Sequence, residues 1–273
     1  MNLEDHLGDI IRKARTAASV SATAAAQAAG ISAAELTALE QAGETNAPLN
    51  FAALAGLIGL DAAKLAGLAQ GWRPEPRDLS RWHELRQIST TQGGNAVNCF
   101  LVWDEFTREA ALFDTGWEAA LVVQIIEENR LQLRHLFLTH SHEDHVAALG
   151  PLRQRFPALL LHTSSRSAAP EHRNQPDDRV AVGGLRVTHR AVPGHADDGV
   201  IYLVDDWPHE PPRVAVVGDT LFAGSLARGF VSTSLLKEEV LEQIFSLPPD
   251  TLLCPGHGPV TTVAEERAHN PFF

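Results

Sequence analysis

The chain has 273 residues, of which 44% are hydrophobic and 21% charged, a composition typical of a folded globular protein and not of a disordered one. It has 22 lysine and arginine residues against 34 aspartate and glutamate residues, and the resulting net charge of -12 disfavours nucleic acids and anionic membranes as partners. We expect no secretory signal and no membrane span, because no basic segment precedes an apolar core and no apolar run is long enough. Cys99 and Cys254, far apart in apolar contexts, are expected to be reduced thiols of a cytoplasmic protein.

Residues 3–69 are rich in alanine and leucine and predict a run of short helices. Leu3, Leu7, Ile10, Ile11 and Ala14 recur at helical spacing and predict a first amphipathic helix. Polar capping residues and glycine stops predict four more, at 21–29, 33–41, 50–58 and 61–69.

The second and third of these helices, joined by a glycine turn, resemble the helix-turn-helix of phage-repressor (XRE-like) DNA-binding domains. However, no lysine or arginine lies between Arg15 and Lys64, and the third helix carries two carboxylates. We therefore predict that residues 1–70 form a dimerisation or docking domain, through which the chain forms a homodimer, and not a DNA-binding one. A shift of duplex DNA at physiological salt would contradict this prediction.

Two prolines separated by one residue, Pro74 and Pro76, predict an extended linker over 71–79. The remaining residues, 80–273, alternate short β-branched or aromatic runs with turn signals. Strands are predicted at 86–90, 96–103, 109–113, 134–139, 159–162, 180–182, 185–192, 199–204, 214–217 and 251–254, with helices at 118–129, 147–156 and 235–245. Two groups of strands, each followed by a helix, predict an α+β sandwich with two central sheets.

The segment 136–150, Leu-Phe-Leu-Thr-His-Ser-His-Glu-Asp-His-Val-Ala-Ala-Leu-Gly, holds three histidines and two carboxylates within six residues. His140 and His142 are two residues apart, so both rings can point to the same side of an extended loop. Imidazole and carboxylate groups are the ligands that divalent zinc, iron and manganese prefer. The zincin pattern is excluded, because it needs a histidine four residues after His142, where Val146 stands.

Three further candidate ligands stand at predicted strand ends. His195 lies in Val-Pro-Gly-His-Ala-Asp-Asp-Gly, Asp219 in Val-Val-Gly-Asp-Thr-Leu-Phe, and His257 in Leu-Cys-Pro-Gly-His-Gly-Pro. The glycine beside each allows the backbone to turn sharply towards a shared cavity. The set as a whole predicts a metal site.

With these motifs, residues 80–273 resemble the metallo-β-lactamase superfamily, and most closely its glyoxalase II (hydroxyacylglutathione hydrolase) branch. Gly-Asp-Thr-Leu-Phe-Ala-Gly-Ser and the closing Pro-Gly-His-Gly-Pro-Val-Thr-Thr with His-Asn-Pro-Phe-Phe are typical of that branch. The resemblance implies an αβ/βα sandwich, here preceded by a small all-α helix-turn-helix-like domain, with metals at one edge. It implies a first metal on His140, His142 and His195, a second on Asp144, His145 and His257, and a bridging Asp219.

The resemblance also implies a mechanism. Two divalent ions, zinc in first place with iron or manganese as alternatives, would share a water and lower its pKa. The resulting hydroxide, oriented by Asp144, would attack a carbonyl or phosphoryl centre, so no serine or cysteine nucleophile is required. Asp114, in Leu-Phe-Asp-Thr-Gly, is interpreted as a carboxylate behind the ligands. The other eight of the 13 histidines, with His6, His162 and His189 among them, are interpreted as surface or packing residues.

The substrate is less well defined by sequence than the metal site. Glyoxalase II continues into a C-terminal helical domain whose basic residues hold glutathione, whereas this sequence ends at Phe273. We therefore predict a small-molecule thioester without naming it. The alternatives are a persulfide dioxygenase-like mono-iron oxidoreductase, a lactonase or phosphodiesterase of the same fold, and a metal-dependent regulator whose helical domain binds DNA or protein. The presence of both His145 and His257 beside Asp144 favours two metals over one.

Overall fold

The computed structural model describes residues 2–273 and begins with five helices. They are α1 (Leu7–Ala17), α2 (Ala22–Ala29), α3 (Ala33–Ala42), α4 (Phe51–Ile58) and α5 (Ala62–Ala69). The last four begin where the sequence predicts, because Ser21, Ser32, Asn50 and Asp61 each accept a hydrogen bond from the backbone N–H three residues on.

The first helix is shorter than predicted. It begins after His6, whose Nδ1 accepts the Asp9 N–H at 3.0 Å, so Leu3 lies outside it. The glycine stops are confirmed, since Gly30 and Gly43 adopt φ values of 76° and 78°, a left-handed conformation that glycine adopts without strain.

The first sheet has five strands in the order β1-β2-β3-β4-β5. Its elements are β1 (Leu85–Gln92), β2 (Asn95–Trp103), β3 (Glu109–Phe113), α6 (Ala120–Glu128), β4 (Gln132–Phe137), α7 (Glu143–Val146), α8 (Leu149–Arg155) and β5 (Leu160–His162). One helix was predicted at 147–156, and its predicted start is wrong. Helix begins already at Glu143 and breaks near Ala148, whose N–H donates to Thr115 Oγ1 at 3.1 Å.

The second sheet has six strands in the order β13-β12-β9-β8-β7-β6, and β10 and β11 form a separate hairpin. Its elements are β6 (Val180–Val182), β7 (Leu185–Ala191), β8 (Val200–Asp205), β9 (Val214–Gly218), β10 (Leu221–Phe222), β11 (Ser225–Leu226), α9 (Thr233–Glu239), β12 (Leu252–Pro255), β13 (Thr261–Thr262) and α10 (Val263–His269). The predicted helix at 235–245 is α9 followed by one π-helical turn, Val240–Ile244. The sequence did not predict β10, β11, β13 or α10.

Three hydrophobic clusters hold these layers together. One fills the space between the sheets, with Phe113 and Phe137 of the first sheet and Tyr202 of the second among its members. Another lies between the outer face of the first sheet and the helices α6 and α8. The third covers the outer face of the second sheet and includes residues of α1–α5 as well as α9. The predicted α+β sandwich with two central sheets is therefore confirmed.

Two further observations agree with the sequence analysis, one on the cysteines and one on the lengths of the helices. Cys99 and Cys254 are both buried and unpaired. Among the residues that the structure describes, no helix is both long and apolar enough to cross a membrane.

Candidate metal centre

Strand ends bring the candidate ligands to one edge of the sandwich. β3 and β4 are parallel neighbours, as are β9 and β12, so the carboxyl ends within each pair meet at the same edge. The histidine loop 140–145 follows β4, Asp219 follows β9 directly, and His257 follows β12. His195 comes from the turn between β7 and β8.

The first group of ligand atoms consists of three imidazole nitrogens. Nδ1 of His142 lies 3.0 Å from Nε2 of His140 and 3.0 Å from Nε2 of His195. His140 and His195 are buried, whereas His142 is partly exposed at the surface of the site. Three nitrogens that point at one another in this way form a cluster able to hold a cation.

The second group consists of two imidazoles and a carboxylate. Nε2 of His257 lies 3.3 Å from Oδ2 of Asp144, and Nε2 of His145 lies 3.9 Å from Oδ1 of the same carboxylate. The side chain of His145 is fully buried. These atoms also converge closely enough to hold a cation.

Asp219 lies between the two groups. Its Oδ1 is 3.2 Å from Nε2 of His145, and its Oδ2 is 3.4 Å from Nε2 of His257 and 3.6 Å from Nε2 of His195. One carboxylate thus faces histidines of both groups. Gly256 allows this approach, because a Cβ there would lie 2.3 Å from Oδ1 of Asp219.

Hydrogen bonds from behind orient the rings. Nδ1 of His145 lies 2.8 Å from Oδ2 of Asp114, Nδ1 of His257 lies 2.6 Å from the Ala96 carbonyl, and Nδ1 of His195 lies 2.8 Å from the Arg228 carbonyl. When Nδ1 donates its proton to such an acceptor, the lone pair of Nε2 is directed into the site. The three rings therefore present the nitrogen that a metal needs.

The charges of the two groups differ. Burial would lower the pKa of His145 and of His257, but the surrounding carboxylates outweigh it and raise both. Burial would likewise raise the pKa of Asp144, but the hydrogen bond from His257 and the charge of His145 lower it to about 2. In the first group, burial lowers the pKa of both His140 and His195, which favours their neutral, metal-binding form.

A further observation, independent of the distances between the rings, also indicates that these side chains suit a metal. His145 Nε2 and Asp219 Oδ1 are buried and lie 3.2 Å apart, but neither has the geometry of a hydrogen bond with the other or with any other described residue. A buried polar atom without a partner costs free energy, and a cation between these atoms would remove that cost. Imidazole and carboxylate donors suit zinc, iron and manganese alike, so the donors do not select among these metals.

An open cavity of about 390 Å³ lies above these groups, and its walls include His142, Asp144, His195, Asp219 and Phe230. Of the residues that the structure describes, no serine, threonine or cysteine lines it. Asn95 Nδ2 donates a hydrogen bond to Oδ2 of Asp144, one of the lining residues, at 3.3 Å.

The structure brings together all seven residues that the sequence analysis proposed as ligands, and Asp114 lies behind them. His6, His162 and His189 lie elsewhere, at the start of α1, at the end of β5 and in β7. Sequence reasoning missed Asn95 and Phe230, whose ring lies 5.4 Å from His195. Asn95 could have been noticed as a polar residue beside a Gly-Gly turn, but the loop around Phe230 carries no comparable signal.

These features define the class of protein. The chain belongs to the metallo-β-lactamase superfamily, because a sequence model of the Metallo-beta-lactamase superfamily matches residues 92–257.

Within the superfamily, the chain is similar to a hydroxyacylglutathione hydrolase and to a persulfide dioxygenase, among other relatives. It is 30% identical over 203 residues to the hydroxyacylglutathione hydrolase GloC of Haemophilus influenzae, an alignment that covers 64% of this chain and 92% of GloC. It is 33% identical over 208 residues to the human mitochondrial persulfide dioxygenase ETHE1, covering 68% of this chain and 80% of that protein.

Two solved structures are also similar to this chain. ETHE1 from Myxococcus xanthus superposes with a TM-score of 0.59 at 34% identity, covering 68% of this chain and 83% of that one. TTHA1623 in a di-iron-bound form superposes with a TM-score of 0.52 at 29% identity, covering 68% of this chain and all (100%) of that one.

Proposed function

We propose that the protein is a dinuclear metal-dependent hydrolase that cleaves a thioester. The observation that carries this proposal is the position of Asp219, which faces both groups of histidines below an open cavity that no serine, threonine or cysteine of the described residues lines. His140, His142 and His195 would hold one ion, Asp144, His145 and His257 the other, and Asp219 would contribute to both. The di-iron form of TTHA1623, a relative at 29% identity, supports two ions.

When bound, the ions supply Lewis acidity and lower the pKa of water. Asp144 lines the cavity, and because its pKa is about 2, its carboxylate is ionised at neutral pH. It can therefore accept a hydrogen bond from a water and orient the oxygen lone pair towards a carbonyl carbon. Asn95, which donates to Asp144, fixes the carboxylate in turn. Attack by the water breaks the C–S bond and yields a carboxylate and a thiol.

The metal assignment is tested by His142→Ala and Asp219→Ala. Each variant removes a ligand atom, so we expect loss of bound metal and of turnover together. Metal content per chain is measured by plasma mass spectrometry on the protein as purified, beside the rate of thioester cleavage. His83→Ala, which changes an exposed histidine outside the site, is the matched control. Full activity in either ligand variant would refute the assignment.

The substrate class is tested with a panel of S-lactoylglutathione, other thioesters, a lactone, a phosphodiester and a β-lactam. We expect kcat/KM to be highest for a thioester, because the chain resembles the hydroxyacylglutathione hydrolase GloC. Metal-loaded protein that cleaves the lactone or the phosphodiester faster than every thioester would contradict the proposal.

A second candidate is a persulfide dioxygenase that uses one iron. It is favoured by the 33% and 34% identities to the two ETHE1 proteins. Convergence of Asp144, His145 and His257 into a second group favours the hydrolase instead. One iron per chain together with oxygen uptake on a persulfide of glutathione would decide for the dioxygenase, and two metals without oxygen uptake for the hydrolase.

A further inference from the structure

The β10–β11 hairpin, which begins two residues after Asp219, is in contact with the N-terminal helices. A Cβ on Gly224, in the turn of this hairpin, would lie 2.9 Å from Cζ3 of Trp72 and 3.0 Å from Cδ2 of Leu68. The turn therefore packs closely against α5 and against the tryptophan that follows it. A part of the chain that lies close to a candidate ligand is thus supported by the helical region.

The chain before α1 is anchored to the same hairpin. Asp5 is 7% exposed, and its Oδ2 accepts one hydrogen bond from Ser225 Oγ at 2.5 Å and another from Lys13 Nζ at 2.5 Å. Lys13 Nζ also donates to the Leu226 carbonyl at 3.2 Å and lies 5.3 Å from the centre of the Phe222 ring. Because a buried charge is costly to separate from its partners, the chain around Asp5 is fixed on the hairpin.

This anchor places the N-terminal segment, residues 2–6, beside the candidate ligand His257. Gly258 has a φ of 74°, and a Cβ there would lie 3.0 Å from the nitrogen and 3.3 Å from the Cβ of Glu4. Glu4 therefore packs against the residue directly after His257. The ring of Phe222, in the hairpin, lies 5.6 Å from the ring of His257 with the two planes at 86°. The surroundings of His257 thus include both the N-terminal segment and the hairpin that anchors it.

Glu4 also interacts with the metal centre through its charge. Desolvation raises the pKa of Glu4, and the charge of His257 opposes this increase, whereas the charge of Asp219 adds to it. The Glu4 carboxylate is therefore within electrostatic range of two candidate ligands. An additional negative charge near a cation site strengthens binding of the cation. This carboxylate lies outside residues 92–257, the part of the chain that matches the superfamily model.

We propose that the N-terminal segment is part of the metal centre, with Asp5 as its anchor on the hairpin and Glu4 as an outer carboxylate that strengthens binding of the metal on His257. Glu4 acts through its charge, as a positioning residue and not as a ligand. The inference rests on the ligands assigned in the proposed function but not on the reaction. It gives the helices that precede the sandwich a part in holding the metal.

Zinc affinity is measured on the metal-free, full-length protein by competition with a chromophoric chelator. Glu4→Gln removes the charge and keeps the shape of the side chain, so we expect one zinc ion to bind about tenfold more weakly. Glu4→Asp keeps the charge and should bind zinc within about threefold of the parent protein. Glu128→Gln, at an exposed position at the end of α6, is the matched control and should bind zinc as the parent does.

Two further measurements distinguish an effect of charge from an effect of packing. In about 1 M salt, where charges are screened over roughly 3 Å, the difference between Glu4→Gln and the parent should fall to about twofold. A packing role would leave that difference unchanged. In the background of His257→Ala, which removes the ring beside Glu4, the added Glu4→Gln should change the remaining zinc affinity by less than about twofold.

The outcomes separate this inference from the proposed function. The inference is refuted if Glu4→Gln binds zinc as tightly as the parent, if the loss of affinity is the same at high salt, or if the same loss occurs without His257. A parent protein that binds zinc and shows these effects but cleaves no thioester would refute the hydrolase proposal alone. A parent protein that binds no zinc would refute the ligand assignment and this inference together.

Discussion

Asp114 is a buried carboxylate that lies behind the candidate ligands and contacts one of their rings. It is 1% exposed, its Oδ1 accepts the Thr139 N–H at 2.8 Å, and its Oδ2 lies 2.8 Å from both Thr139 Oγ1 and His145 Nδ1. Its φ of 57° is left-handed, a conformation that asparagine also tolerates. The carboxylate keeps a proton on Nδ1 of His145, so it is Nε2 that faces the site and can exchange its proton for a metal.

We expect Asp114→Asn to weaken binding of the metal that His145 is proposed to hold by about 10–100-fold. The new amide would donate to Nδ1 of His145, and the ring proton would then move to Nε2, where it competes with the metal. Metal content after dialysis against a weak chelator measures the effect. Asp104→Asn changes another buried carboxylate that accepts backbone N–H bonds, and it should retain metal as the parent protein does. Metal held as tightly in Asp114→Asn as in the parent protein would contradict the prediction.

The titration of His162, which lies outside the metal centre, predicts that the fold becomes less stable in acid. Burial, with the neighbouring His135, lowers the pKa of His162 from 6.5 to about 4. The unfolded chain therefore takes up a proton below pH 6.5 that the folded chain refuses, and stability falls as pH decreases towards 4. The loss is at most roughly 3 kcal/mol and less in practice, because the ring is partly exposed.

His162→Phe should retain the stacking on Phe137, whose ring centroid is 4.4 Å away, and remove the titration. Urea unfolding at pH 7, 5.5 and 4.5 should show a smaller loss of stability on acidification than in the parent protein. His83→Phe is the control at an exposed position. Parallel pH profiles for His162→Phe and the parent would contradict the assignment.

The candidate ligands could be predicted because each lies in a short motif whose chemistry is local. His140–His145 follow one strand, and the Pro-Gly turns before His195 and His257 mark their own positions. Residues such as Phe230 and Arg228 could not be predicted, since their position beside His195 depends on how a loop distant in sequence packs. The ligand roles themselves stay predictions until metal is measured.

At the scale of elements, the packing of α1 against α3 depends on one close contact between their backbones. A Cβ on Gly8 would lie 1.9 Å from the Leu39 carbonyl oxygen, too short for any side chain. The same pair is joined by Arg15, whose Nε and Nη2 donate to the two carboxylate oxygens of Glu40 at 2.7 and 2.8 Å. The contact at Gly8 is made by backbone, and the contact of Arg15 consists of two parallel hydrogen bonds. The two helices therefore have little freedom to separate.

Gly8→Ala is therefore expected to lower the free energy of unfolding by about 1–3 kcal/mol, the usual cost of overpacking. Gly67→Ala is the matched control, since Gly67 lies within α5 and its added Cβ would meet nothing within 4 Å. It should be stabilising by about 0.5–1 kcal/mol, because alanine is the better helix former. Urea unfolding of both variants gives the comparison, and equal stability of the two would contradict the packing argument.

Elements were predictable where a local signal ends or starts them. Capping side chains placed α2 to α5 within a residue or two, because a cap is set by neighbours in sequence. The hairpin β10–β11 escaped prediction, since two-residue strands have no measurable period. Its turn is fixed instead by tertiary contact, where the Gly224 N–H donates to the buried Glu266 carboxylate of α10.

At the scale of the whole molecule, the helices and the sandwich share one core. Leu65 of α5 and Ile10 of α1 belong to the same buried cluster as Leu203 of β8. The C-terminal segment strengthens this junction, because the Asp61 N–H donates to the Pro271 carbonyl at 2.8 Å and Lys64 Nζ to the Phe273 carbonyl at 2.6 Å. The domain limits at 70 and 80 stay a prediction, but these contacts favour a single folding unit.

The predicted linker is packed as well. Trp72 stacks on His269 with ring centroids 4.8 Å apart, and Arg77 Nη2 lies 2.8 Å from Glu265 Oε1. The sequence indicated an extended segment from its prolines, but it could not indicate what the segment packs against. Contacts of this kind join residues about 190 positions apart in sequence, beyond the range of any local signal.

A single folding unit predicts one cooperative unfolding transition. Leu65→Ala should lower the free energy of unfolding by about 2–5 kcal/mol, because Leu65 is fully buried in the shared core. Far-ultraviolet circular dichroism and tryptophan fluorescence should then report the same lowered unfolding midpoint. The reason is that the N-terminal helices cover the outer face of the second sheet, so their unfolding exposes the shared core. Leu57→Ala, at a position 42% exposed in α4, should change the midpoint little. Two separate transitions, of which Leu65→Ala shifts only the first, would mean that the helices fold and unfold apart from the sandwich.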